Sequence, residues 1–163
     1  MDTQTLETGL KRLPRLIINN TRGIGMNTEN KIRHLEMIQG VISRMASNSF
    51  MLKGWAVTLV AGVFALAAKD TDKLYFLVAY IPVIIFWGLD SYYLLQERLY
   101  RSLYEKVRLT NENSIDFSLK TSKEEFDSEK NKFFSCFVSA TELWFYFPLA
   151  IVCTGIIIIT HLL

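Results

Sequence analysis

Two apolar runs set almost end to end constrain this chain more than any other feature. Residues 54–68 (GWAVTLVAGVFALAA) carry no charge, and residues 69–73 (KDTDK) form a polar break. Residues 74–95 (LYFLVAYIPVIIFWGLDSYYLL) are apolar again, with Asp90 as their single charge. A five-residue break is too short for a soluble crossover, but it suits the tip of a helical hairpin. Crossing hydrocarbon takes about 20 apolar helical residues, and residues 47–68 meet that need with only Lys53 inside. A hairpin buried within a soluble protein is the competing reading. A third run free of full charge, residues 143–163, argues against it. The predicted fold is an all-α membrane protein. A long helical hairpin with spans at about 50–68 and 74–95 extends into the cytoplasm, and a third, C-terminal transmembrane helix follows.

Half of the 163 residues are hydrophobic, but that mean hides a division between charged and nearly uncharged stretches. Residues 1–53 hold eight Lys/Arg against four Asp/Glu, residues 69–73 two against two, and residues 96–135 eight against eight. Orientation follows the number of basic residues rather than net charge. Residues 1–53 and 96–135 are therefore expected on the cytoplasmic side, with the short loop outside and Leu163 at the outer face. Four units result: a basic arm (1–29), the hairpin (30–108), a cytoplasmic loop with a charged lead-in (109–135), and the third helix (136–163). The first 25 residues hold Lys11, Arg12, Arg15 and Arg22 without an apolar core or cleavage site, so no secretory signal is expected. Cys136 and Cys153 are too few for a disulfide framework and read as inert thiols.

Along the arm, Leu6, Leu10, Leu13 and Ile17 make a basic amphipathic pattern broken by Pro14, and residues 19–30 are loop-like by composition. Such an arm lies on an anionic membrane face, binds a polyanion, or is poorly ordered. From Lys31 the pattern sharpens. Leu35, Ile38, Ile42, Met45, Ser49 and Leu52 alternate by three and four, forming a seam that enters the first span without a proline. Tyr92, Leu95, Leu99, Leu103 and Val107 carry the second span downward at helical spacing. Counting from Thr71 at the loop centre, Lys53 lies 18 residues before and Asp90 lies 19 after. Antiparallel helices of equal rise place the two at one height, so they should meet at the cytoplasmic boundary. Arg44 and Glu97 fall at matching heights by the same count. An ionisable residue inside a span is a functional candidate, although a structural salt bridge or a snorkelling Lys53 beside a solvated Asp90 fits as well.

The first span carries a small face, Gly54, Thr58 and Gly62, with Ala61, Ala65 and Ala68 alongside. Small residues let helices approach closely in lipid, and the neighbour is either the second span or another protomer. Pro82 should kink the second span, and Trp87, Tyr92 and Tyr93 suit the headgroup boundary. Residues 111–122 read as a loop, and residues 123–132 as a short helical lead capped by Thr121 or Ser122.

No catalytic pattern is present: no phosphate-binding glycine loop, no HExxH, no paired cysteines and no serine elbow. His34 and His161 fall on opposite sides of the expected topology, so neither an enzyme, a metal site nor a cofactor is expected. Three spans enclose no water path by themselves, but several protomers about an axis do. Thr58, Asp90, Ser91 and Lys53 are the candidates to line or gate it. Arg12, Arg15, Arg22, Lys31 and Arg33 are the candidates to receive an anionic ligand, on charge alone. Leu35, Ile38, Ile42, Met45, Gly54 and Gly62 are the candidates for helix or protomer packing.

The segments HLEMIQGVISRMASNSFMLKGW, VTLVAGVFALAAKD and FWGLDSYYLLQERLYRSLY resemble a group of small bacterial membrane proteins of anti-phage defence islands. The chain is most similar to the membrane effectors of Hailong-type systems, with the two-span SLATT-type effectors as neighbours. The resemblance covers about residues 26–163 and is most specific at NSFMLKGW and LDSYYLLQERLY. It implies a homo-oligomeric, channel-like protein of the bacterial inner membrane, with a tetramer favoured. The ligand would be an oligonucleotide or cyclic nucleotide made by a partner nucleotidyltransferase. That ligand would hold the protein closed until infection releases it, and opening would depolarise the membrane.

Overall fold

The computed structural model describes the backbone of residues 3–67, 77–122 and 124–162, and the side chains of residues 27–67, 77–122 and 124–159. Its helices are α1 (Thr3–Ala67), α2 (Tyr80–Leu109), α3 (Phe133–Phe137) and α4 (Ala140–Leu162). Three of them are long and apolar enough to cross a membrane, over Asn27–Ala67, Leu77–Leu109 and Ala140–Ile159. Only 17%, 22% and 17% of the side chains in their most apolar windows are buried, so these helices turn most of their hydrocarbon outward. Phe50, Leu66, Ile84, Phe147 and Ile159 are among the exposed side chains. Burying one such side chain is worth about 1.5–3 kcal/mol, which lipid supplies and water does not. The protein is a multi-span membrane protein by helix length and composition. The polar break at 69–73 lies outside the described residues.

α1 and α2 pack side by side as a hairpin longer than a bilayer is thick. The 41 residues from Asn27 to Ala67 rise about 60 Å, against a hydrocarbon core of about 30 Å. In the lower half, Ile38 and Ile42 pack on Leu103 and Val107, with Leu35, Tyr100 and Tyr104 around them. The three-and-four seam of α1 is thus filled by the chain's own α2. α1 also runs helically through residues 19–30, where composition predicts a loop. At its described end the reason is tertiary. Thr28 Oγ1 bonds Glu112 at 2.8 Å, Asn27 bonds Asn113 at 2.8 Å, and Lys31 Nζ donates to the carbonyls of Arg108 (3.1 Å) and Thr110 (2.8 Å). Lys31 therefore caps α2, meeting the orphan carbonyls and negative dipole of that helix end.

α4 returns antiparallel to α2. Tyr80 touches Thr154 at 2.6 Å near one end, and Asp90 touches Tyr146 at 3.2 Å near the other. The bundle core joins all three long helices: Ala56 and Val60, Val83, and Tyr146 with Cys153. Pro82 falls in the first turn of α2, directly after the 3-10 turn at 77–79, a place where proline is tolerated.

The third helix begins later than predicted. α3 stops after five residues, Val138 and Ser139 intervene, and α4 starts at Ala140. The lead-in expected over 123–132 is not helical either; among its described residues only Glu129–Asn131 form a 3-10 turn, capped by Ser128. Glu125 and Glu129 would sit at like-charged i, i+4 positions, and ten residues are too few for a helix to form unaided. Phe126 anchors this loop instead, packing on both the stem and the Leu95–Leu99–Cys136 cluster.

Cys136 is fully buried in that cluster, and burial pushes its thiol above the ordinary range. Its alkylation by iodoacetamide at pH 8 should run at least roughly tenfold slower than in the unfolded chain, since attack waits on local opening. Peptide mapping after timed labelling reads the rate, and labelling as fast as in denaturant would show that α3 does not hold its place.

Candidate functional site

Three charges meet at one level of the three-helix bundle. Lys53 stands at the foot of the uncharged run of α1, Asp90 in the lower part of α2, and Glu142 in the first turn of α4. Asp90 and Glu142 are buried, and the Lys53 side chain is 16% exposed. Lys53 Nζ donates to Asp90 Oδ2, to Glu142 Oε1 at 3.3 Å and to Ser49 Oγ at 3.1 Å. The ammonium has three hydrogens, and each has an acceptor. It also lies 5.9 Å from the ring centroids of both Phe145 and Tyr146, within cation–π range. Tyr146 donates its hydroxyl to Asp90 Oδ2 at 3.2 Å. Asp90 Oδ1 and Glu142 Oε2 are buried without a hydrogen-bond partner among the described residues. Fully ionised, the cluster carries a net charge of −1.

The helices aim these groups by simple geometry. Each charge is followed two residues later by an aromatic: Trp55, Tyr92 and Trp144. Positions i and i+2 point apart on a helix, so the charge turns in and the aromatic turns out. All three aromatics are exposed, at 65%, 50% and 85%. That outward ring is what a headgroup boundary selects, and it sits level with the inward charges. Trp87 does not belong to the ring. It donates to the Phe137 carbonyl at 3.0 Å and stacks on Phe137 and Tyr146, with centroids 4.3 and 5.7 Å apart. Through it, α3 is fastened to the charged cluster.

The contact predicted between Lys53 and Asp90 is present, and Glu142 with Tyr146 completes it. The pattern K-x-W, D-x-Y, E-x-W was the available signal for Glu142, which is also the only Asp, Glu, Lys or Arg in residues 133–163. Arg44 and Glu97 do not pair: Glu97 bonds Arg101 at 2.8 Å, and Arg44 lies on the exposed side of α1. Ser91 is buried but turns away, donating to the Trp87 carbonyl at 2.7 Å. Thr58 is exposed and donates to the Gly54 carbonyl at 2.9 Å. Within one protomer, then, Thr58 and Ser91 stand apart from the Lys53 cluster.

Among the packing candidates, Ile38 and Ile42 are buried, Leu35 and Met45 are half-buried, and Gly54 and Gly62 are exposed. Among the described residues, a Cβ added at either glycine would meet nothing within 4 Å, so the described part of α2 does not pack on the small face. Of the ligand candidates, Lys31 is engaged at the end of α2, and Arg33 pairs with Glu29 at 2.7 Å in an exposed bridge. The side chains of Arg12, Arg15 and Arg22 lie outside the described residues. His34 is fully buried, edge-on to Phe117, with neither ring nitrogen hydrogen-bonded among the described residues. No cluster of His, Cys, Asp and Glu among the described residues is placed to hold a metal.

Comparison with protein-family models, with curated proteins and with solved structures finds no match.

Proposed function

We propose that this chain is a homo-oligomeric, channel-like effector of bacterial anti-phage defence that depolarises the inner membrane when active. A nucleotide or short nucleic-acid signal from a partner nucleotidyltransferase gates it, with a tetramer as the favoured assembly and the N-terminus in the cytoplasm. The observation that carries this reading is the Lys53–Asp90–Glu142 cluster. Charged groups are costly within spans and tend to mark ion paths or switches, and this one joins three helices at one boundary. The sequence resemblance supplies the biological setting, and the distribution of basic residues supplies the orientation.

One experiment separates this from a membrane scaffold without conductance. Expressing residues 1–163 alone, without a partner enzyme, should stop growth and collapse the signal of a potential-sensitive dye. Normal growth with intact potential assigns the chain to the scaffold reading. Asp90→Ala should change toxicity or conductance by about tenfold or more while the protein still fractionates with membranes. Wild-type behaviour of that variant in both assays removes Asp90 from the gating machinery.

A further inference from the structure

Where α2, α3 and α4 meet, an open cleft of about 580 Å³ is lined by Arg98 and Arg101, Lys130 and Asn131, and the hydroxyl-bearing Ser135 and Ser139. We propose that this cleft binds the phosphate headgroup of an anionic lipid. The inference rests on the membrane reading of the fold and not on conductance.

The charge at the cleft is one-sided. Arg98 donates to the Lys130 carbonyl at 2.6 Å, which holds its guanidinium across the 3-10 turn. Neither Arg98 nor Lys130 has a carboxylate partner among the described residues, and Arg101 shares Glu97. Of the other acids nearby, Glu129 pairs with Lys132, Glu142 pairs with Lys53, and Asp127 is exposed and acts on Lys132. Three cations thus face the cleft with one carboxylate among them, and a guanidinium matches a phosphate through paired N–H donors.

A second, independent observation points to a ligand. Ser139 directly precedes α4, where a serine hydroxyl normally accepts a hydrogen bond from an N–H of the first turn. Its Oγ is buried and makes no hydrogen bond among the described residues. Ser139 is one of the residues lining the cleft, and the first-turn N–H groups that follow it have no helical acceptors.

The rim selects lipid over a free phosphate. Val138 lines the cleft and is exposed, Phe133 and Phe134 are exposed on α3, the helix that supplies Ser135, and the apolar span of α4 begins at Ala140. A phosphate seated among Arg98, Lys130 and Ser139 has its glycerol and acyl chains running along those side chains. A soluble anion gains nothing from them. Basic pockets beside spans take anionic headgroups in just this setting.

The test uses the full chain in detergent, titrated with phosphatidylglycerol and with phosphatidylcholine of the same acyl chains, and read by native mass spectrometry. Phosphatidylglycerol should be retained about tenfold or more over phosphatidylcholine. K130Q should reduce that retention by about tenfold, with a smaller loss for phosphatidylcholine, whose choline offsets the same phosphate. Lys130 is exposed and makes no ion pair among the described residues, so its loss leaves the fold in place. R98Q should act in the same direction, and S139A more weakly. Equal retention of the two lipids overturns the proposal, and so does K130Q binding phosphatidylglycerol as wild type does. Displacement of phosphatidylglycerol by inorganic phosphate or a short oligonucleotide at equal concentration assigns the cleft to a soluble anion instead, and the lipid proposal fails.

Discussion

Replacing Lys53 by methionine should lower the stability of the bundle by about 3–5 kcal/mol, the largest loss expected from any single polar change. The size comes from what stays behind. Asp90 and Glu142 remain buried, each with one oxygen already lacking a partner among the described residues, and the cation between them is gone. Two like charges then face each other in a medium that screens them poorly. Tyr146 still donates to Asp90, but one neutral hydrogen bond does not replace an ammonium with three acceptors. α4 should suffer most, because the hairpin keeps its own seam of Ile38, Ile42, Leu103 and Val107. In detergent the melting temperature should fall by on the order of 10 °C. Limited proteolysis should cut the 110–122 segment and the region before α4 sooner than the stem.

The triple variant K53M, D90N, E142Q makes the argument specific. Removing one partner of a buried ion pair is costly, whereas neutralising the whole group is often nearly neutral. The triple variant should therefore recover most of what K53M loses. Recovery would also separate stability from function, since a neutral bundle that folds yet neither kills nor conducts identifies the charges as functional. If K53M alone melts with the wild type, the cluster does not hold α4 to the hairpin, and its geometry carries no energetic weight.

The three apolar runs were legible because nothing else in the sequence is uncharged for so long. The Lys53–Asp90 contact was legible too, since two antiparallel helices of equal rise convert a count of residues into a height. Glu142 was hidden for a different reason. It opens an apolar run, where a lone carboxylate reads as a flanking residue, and no loop count ties α4 to the hairpin. The same weakness explains Trp87: an aromatic near a boundary suggests an anchor, and only packing shows it lying between Phe137 and Tyr146. The α3–α4 break leaves no proline or glycine as a marker, and Ser139, a good capping residue, was the only local sign. In the stem, sequence gave the seam but not its partner, since a three-and-four repeat fits a neighbouring copy as well as a neighbouring helix.

That last ambiguity sets up the second large effect. With the stem seam covered by α2, the small face of α1 is what a second protomer would meet in the proposed assembly. Gly54, Thr58 and Gly62 are all exposed, and a Cβ added at either glycine meets nothing within 4 Å among the described residues. Leucine at Gly54 and Gly62 should therefore leave the protomer folded, and its helix slightly favoured, by about 1 kcal/mol per site. Between protomers the same leucines hold the backbones apart, at an overpacking cost of about 1–3 kcal/mol each. The double variant should then shift from oligomer toward protomer by about a hundredfold or more, read by native mass spectrometry or light scattering in detergent. Toxicity should fall with it, because a lone three-helix protomer encloses no path. An intact oligomer in the double variant places the subunit contact on another face, and a protomer that still depolarises the membrane ends the case for a pore built about an axis.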